Sequence, residues 1–127
     1  MEQLAFLPVM DKEMEKTMQK EVVSILKEYR ALKARFENEM EQQQEGISLF
    51  PEIRNTRHVS NIKFKQIDKA LQHVLDYDEA EIIKMKYLNG EKLKDSFIYT
   101  ELSRKKDHFY YKKKNAIRLI ATSLGMI

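Results

Sequence analysis

The sequence predicts an all-α protein: a long N-terminal helix followed by a four-helix C-terminal domain. Three observations predict it. Only three Gly and two Pro occur in 127 residues, so long stretches carry no strong breaker. Apolar residues recur at spacings of three and four in nearly every segment, the period of one helical face. The few Gly and Asn-Gly positions fall between those periodic segments, where helix ends need a left-handed residue.

The first element spans residues 11–44. It contains no Gly or Pro and is rich in Glu, Lys, Gln, Met and Leu, all good helix formers. Its stripe runs Met18, Val22, Ile25, Tyr29, Leu32 and Phe36, with Met14 and Met40 extending it. Asp11, Glu13 and Glu15 open it, which suits the positive end of a helix dipole. At 1.5 Å per residue it would be about 50 Å long. Two uses for the stripe stand open. One is a seam with a second copy, which would make the protein a homodimer; the other is a fold-back onto the C-terminal domain. Residues 45–61 then lose the period: Gly46, Pro51, Asn55 and Ser60 scatter among Ile47, Leu49, Phe50, Ile53 and Val59. Pro51 pushes Phe50 toward extended backbone, so the segment reads as a linker whose apolar residues dock on a neighbour. Arg54, Arg57 and His58 read as scattered surface charge, with phosphate contact as the alternative.

The C-terminal domain spans residues 62–127. With Asn61 as a cap, residues 63–76 carry Phe64, Ile67, Leu71, Val74 and Leu75 on one face. Asp78 caps the next helix, with Ala80, Ile83 and Tyr87 on one line, until Leu88-Asn89-Gly90 ends it. A short helix capped by Asp95 is anchored by Ile98 and Leu102. The last helix runs from about Ser103 to Leu124, and Gly125 stops it. Phe109, Ala116, Ile117, Ile120 and Leu124 form its inward line. Lys113 lies on that line too, so its stem is expected to snorkel outward.

Charge divides the chain unevenly. Residues 1–62 hold 9 Lys/Arg and 11 Asp/Glu, residues 63–127 hold 14 and 9, and Arg104 to Arg118 alone holds seven basic residues against one Asp. Such a concentration on one helix points to a polyanion. The chain has no cysteine, which excludes disulfides, thiolate chemistry and zinc-finger sites. No apolar run approaches the ~20 residues that span a bilayer. Residues 1–10, with acidic Glu2, do not read as a secretory signal, so a cytoplasmic protein without membrane contact is expected.

A helix, a turn, a short helix, a turn and a cationic helix follow the order of a helix-turn-helix reader of double-stranded DNA. Phe109 is needed inside to seat the last helix on Ile98 and Leu102. The 100° step per residue then turns Lys105, Lys106, His108, Lys112 and, in part, Tyr110 and Tyr111 outward. With Arg104 and Lys113 these make the candidate DNA-binding set. Lysines reach guanine acceptors, while the imidazole and phenol groups bond bases or phosphates. Five or six phosphate contacts would give a salt slope of about −5.

The run Glu81-Ile82-Ile83-Lys84-Met85-Lys86-Tyr87-Leu88, then Leu93, Ile98, Leu102 and Phe109-Tyr110 before Lys112-Lys113-Lys114-Asn115-Ala116-Ile117, resembles the helix-turn-helix of sigma-factor region four. Within that group it most resembles the ArpU family of phage transcriptional regulators. That family has an Asp-x-x-Ile-Tyr-x-Glu-Leu helix, matched by Asp95 to Leu102, then a Tyr-Tyr pair, matched by Phe109-Tyr110, and a Lys-rich helix with an apolar tail. The resemblance covers residues 62–127. It implies a phage or prophage protein that controls late genes for packaging and lysis, with Lys105 through Lys112 facing DNA. Three positions depart from the pattern: Ser103 stands where Gly is usual, Arg104 where an apolar residue is, and Lys105 where a Ser cap is. Ser103 or Asp107 are the alternative caps.

Other chemistry finds little support. Asp76, Asp78, Glu79 and Glu81 are explained by capping and dipole complementarity rather than by a cation. His58, His73 and His108 lack metal-ligand spacing. There is no glycine-rich phosphate loop, nucleophile elbow or triad, so neither an enzyme nor a cofactor is expected. The rivals to a specific regulator are a helical adaptor, whose basic helix meets an acidic protein such as RNA polymerase or another phage protein, and a nonspecific architectural protein.

Overall fold

The computed structural model describes residues 10–127, so the expectation about the first residues lies outside the described part. The described chain is all-α: α1 Lys12–Glu45, α2 Arg57–His73, α3 Tyr77–Ile83, α4 Asp95–Glu101 and α5 Lys106–Ser123, with a π-helical turn, Lys84–Leu88, continuing α3. None of these helices is long and apolar enough to cross a membrane.

α1 starts where an acceptor side chain is available: Asp11 takes the backbone N–H of Met14 at 2.8 Å. It ends at Gly46 with φ 68°. Ile47 N–H bonds Gln42 O at 3.0 Å and Gly46 N–H bonds Gln43 O at 3.2 Å, the paired closure that a left-handed residue permits. Between those ends the apolar stripe turns inward. Met18, Val22, Leu26 and Tyr29 are buried against the rest of the same chain. Of the two uses open to the stripe, the fold-back is the one seen. The fold-back buries Met18, Val22 and Tyr29 of the stripe and leaves its ends, Met14 and Met40, exposed.

The linker is shorter than expected. α2 begins at Arg57, not after Asn61, and Thr56 at its N-cap position makes no capping bond. The reason is tertiary. Arg35 of α1 donates to Thr56 Oγ1 at 3.0 Å and to Ser60 Oγ at 2.9 Å, and Glu39 holds Arg57 at 2.9 Å. These bonds fix the first turn of α2 from outside. Further along, Phe64 stacks between Tyr29 and Phe36, with centroids at 5.8 and 5.0 Å. The Tyr29 hydroxyl donates to Asp68 at 2.6 Å; burial, with the Asp68 carboxylate beside it, raises its pKa. The apolar residues of the 46–56 connector do not dock: Ile47, Leu49, Phe50 and Ile53 are exposed.

The cap of α3 is Asp76, with Asp78 in the first turn instead of capping. Asp76 accepts from Glu79 N–H and Glu79 returns the bond to Asp76 N–H, each at 2.8 Å. The π turn widens the helix end before Asn89 and Gly90. Gly90 has φ 82°, the left-handed region that favours glycine; a Cβ there would also meet the end of the Arg30 side chain at 2.5 Å, which is free to swing aside. α5 crosses α1 through Ala116, Ile117, Ile120 and Ala121, packed with Met18, Val22, Leu26 and Ile83.

Candidate nucleic-acid interface

The site is built by the turn between α4 and α5 and by the first turns of α5. Asp95 is the first helical residue of α4 rather than its cap; Lys94 holds the cap position and offers no side-chain bond. The helix closes through Ser103, whose φ is 54°. Arg104 N–H bonds Tyr99 O at 2.8 Å and Ser103 N–H bonds Thr100 O at 3.1 Å. This is the closure seen at Gly46, made here by a residue whose Cβ costs roughly 1 kcal/mol in the left-handed region. The tight turn delivers Lys105 to the N-cap position of α5 in extended backbone. The last helix therefore starts at Lys106, later than Ser103, and neither Ser103 nor Asp107 caps it.

Phe109 seats that helix. It is fully buried with Ile82 and Ile98, with Met85, Leu93, Tyr99 and Leu102 packed around them. Tyr99 tilts against the ring at 5.6 Å and Tyr110 meets it edge-on at 5.2 Å. Fixing a buried Phe at the first turn fixes the direction in which its neighbours point, because successive side chains are 100° apart.

The cations divide into two groups, a division invisible to helical periodicity. Arg104 grips Asp78 with two bonds, Nη2 to Oδ1 at 2.8 Å and Nε to Oδ2 at 3.1 Å. His108 Nε2 lies 3.2 Å from the same carboxylate. Lys112 reaches Asp76 at 2.5 Å. The Arg104 guanidinium and then the His108 ring hold Asp78 below its usual carboxylate pKa. For Asp76 the Glu79 backbone N–H leads and Lys112 follows. Lys113 contradicts the expectation of an outward amine. Its Nζ is 3.1 Å from Asp95, with a side chain 14% exposed, and it sits 5.8 and 5.7 Å from the Phe109 and Tyr110 ring centroids. Lys86 meets the other Asp95 oxygen at 2.9 Å. Burial raises the Asp95 pKa, but the two ammonium groups outweigh it and leave the carboxyl lowered. Lys113 therefore belongs to the joint between α4 and α5.

Lys105 and Lys106 are exposed, as are Tyr110 and Tyr111, the last at 65%. Among the described residues neither lysine has an acidic partner. The sequence reasoning missed the acids that face the cationic helix: Asp76, Asp78 and Asp95, with Glu79, buried and bonded to Asn115. Their only legible signal was position at a helix start, which identified dipole partners and concealed a second use. No protein-family model, no curated protein and no solved structure matches this chain.

Proposed function

We propose that the chain is a sequence-specific reader of double-stranded DNA that regulates transcription, inserting the first turns of α5 into the major groove. One observation carries this: Lys105, Lys106, Tyr110 and Tyr111 stand exposed on a helix start that Phe109 fixes from beneath. Lysines and phenols at the beginning of a rigid helix meet base edges. The late genes of a phage or prophage are the target implied by the ArpU-like motifs.

The rival reading is the helical adaptor, and one observation bears equally on DNA and on an acidic protein. Arg104, His108, Lys112 and Lys113 are already neutralised within the fold, which lowers the field available for a polyanion. Fluorescence anisotropy separates the two, using labelled duplex from the DNA flanking the gene and a random duplex of equal length. A specific regulator should prefer its own site by roughly a thousandfold and lose that preference in Lys105→Gln/Lys106→Gln. Equal, weak retention of both duplexes, indifferent to that double substitution, overturns the proposal in favour of the adaptor. Tight but equal binding would indicate an architectural protein.

A further inference from the structure

The outer face of α1 carries a second cationic surface that the helix-turn-helix does not use. Lys12, Lys16, Lys20 and Lys27 are all exposed, and none has an acidic partner among the described residues. The 100° step of the helix puts them, with Val23, within an arc of about 80°. No acidic residue of the stretch from Lys12 to Arg30 falls in that arc: Glu13, Glu15, Glu21 and Glu28 all lie outside it. The buried line Met18, Val22, Leu26 and Tyr29 occupies the other side of the helix. Lys16, Lys20, Val23 and Lys27 edge a shallow concavity with Gln19 and Ser24.

This stripe is continuous with α5. Tyr111, Lys114 and Arg118 share one line of that helix at i, i+3 and i+7. Lys114 lies 3.3 Å from Glu15 and Arg118 bonds the other oxygen of the same carboxylate. Lys12 is one turn before Glu15 and Lys16 follows it directly. A cationic band therefore runs from the exposed Tyr111 across to α1, interrupted by one carboxylate that two cations already hold.

The chemistry of the stripe selects its occupant. From Lys12 to Lys27 it runs about 22 Å, close to two-thirds of the ~34 Å turn of a duplex. A strand offers a phosphate every ~3.4 Å of axis over that length. A membrane-surface helix would turn its apolar face outward, whereas this one buries it. A protein hot spot would be centred on Trp or Tyr anchors; the arc holds neither, and its arginine, Arg30, packs beside Gly90. Four ammonium point charges suit phosphate without base preference. We infer that Lys12, Lys16, Lys20 and Lys27 form a sequence-independent track for the phosphate backbone of duplex DNA, extending the contact made by α5. This rests on the DNA-binding assignment of α5.

The test is the fourfold variant Lys12→Gln/Lys16→Gln/Lys20→Gln/Lys27→Gln, with an unchanged circular-dichroism melt as the check on folding. Anisotropy is measured from 50 to 300 mM salt on the gene-flanking duplex, on a random duplex, on polyglutamate and on anionic vesicles. Affinity for both duplexes should fall together, roughly tenfold or more, the salt slope should flatten by about 3, and their ratio should hold. Unchanged affinity and slope would overturn the track while leaving α5 as the reader. If the wild type binds neither duplex, both assignments fall. Loss confined to polyglutamate or vesicles would overturn the track in favour of that other partner.

Discussion

Replacing Asp78 by Asn should tighten DNA binding, an outcome that no count of cations predicts. Asp78 holds Arg104 through two bonds and His108 through one. A phosphate approaching those cations must therefore compete with a fixed carboxylate and is repelled by it. At about 6 Å and near-aqueous screening the repulsion amounts to roughly 0.7 kcal/mol. Release of Arg104 from its solvent-screened pair adds to this in the same direction. Together these predict a gain in affinity of about threefold or more and a salt slope steeper by about 1. Loss of the pair should lower the melting temperature by a few degrees. Asp76 is a poorer target because it also caps α3, so its removal would cost about 1 kcal/mol through the helix itself. The assay is anisotropy on the gene-flanking duplex across a salt series, with melts on the same samples. Weaker binding by a folded Asp78→Asn protein would mean that the carboxylate positions Arg104 for DNA, refuting the competition. Unchanged affinity and slope would mean that neither cation meets phosphate.

Ser103→Gly should raise stability by about 0.5–1 kcal/mol, read as a higher melting temperature, because Ser103 closes α4 at φ 54°. Leu26→Ala should cost about 3 kcal/mol, since Leu26 is fully buried between α1 and α5; the melting temperature of both proteins should be independent of concentration, whereas a dimer seam would make it rise with concentration. Asp76 and Asp78 have folded pKa values below the ordinary 3.8, so the stability they confer is complete above that value and lost as pH falls through the folded pKa. Chemical denaturation at pH 7, 5, 4 and 3 should show little change down to pH 5, then a decline that is shallower in Asp78→Asn.

The pattern of elements was legible because it depends on local rules. The period of three and four marked every helix, and Asp11, Gly46, Asn89-Gly90 and Gly125 marked ends where a cap or a left-handed residue is locally decided. Boundaries failed where a distant side chain intervenes. Asn61 looked like the cap of α2, but Arg35 and Glu39 secure an earlier start from another helix. Asp78 looked like the cap of α3, but the reciprocal bonds of Asp76 and Glu79 place the start two residues sooner.

For the candidate interface the same division holds. Composition and periodicity by themselves determined an all-α chain, a cationic last helix, and Phe109 as the residue that faces inward, because burial follows from apolar period. Only the tertiary structure decided which cations are free. Arg104, His108, Lys112 and Lys113 meet acids 18 to 36 residues earlier in the chain, and Lys105 and Lys106 do not. The same is true of the α1 stripe, whose covering comes from α2, α5 and the π turn of its own chain. An ion pair or a packed face depends on where another helix lies, and that placement is fixed by the whole core rather than by any local run of residues.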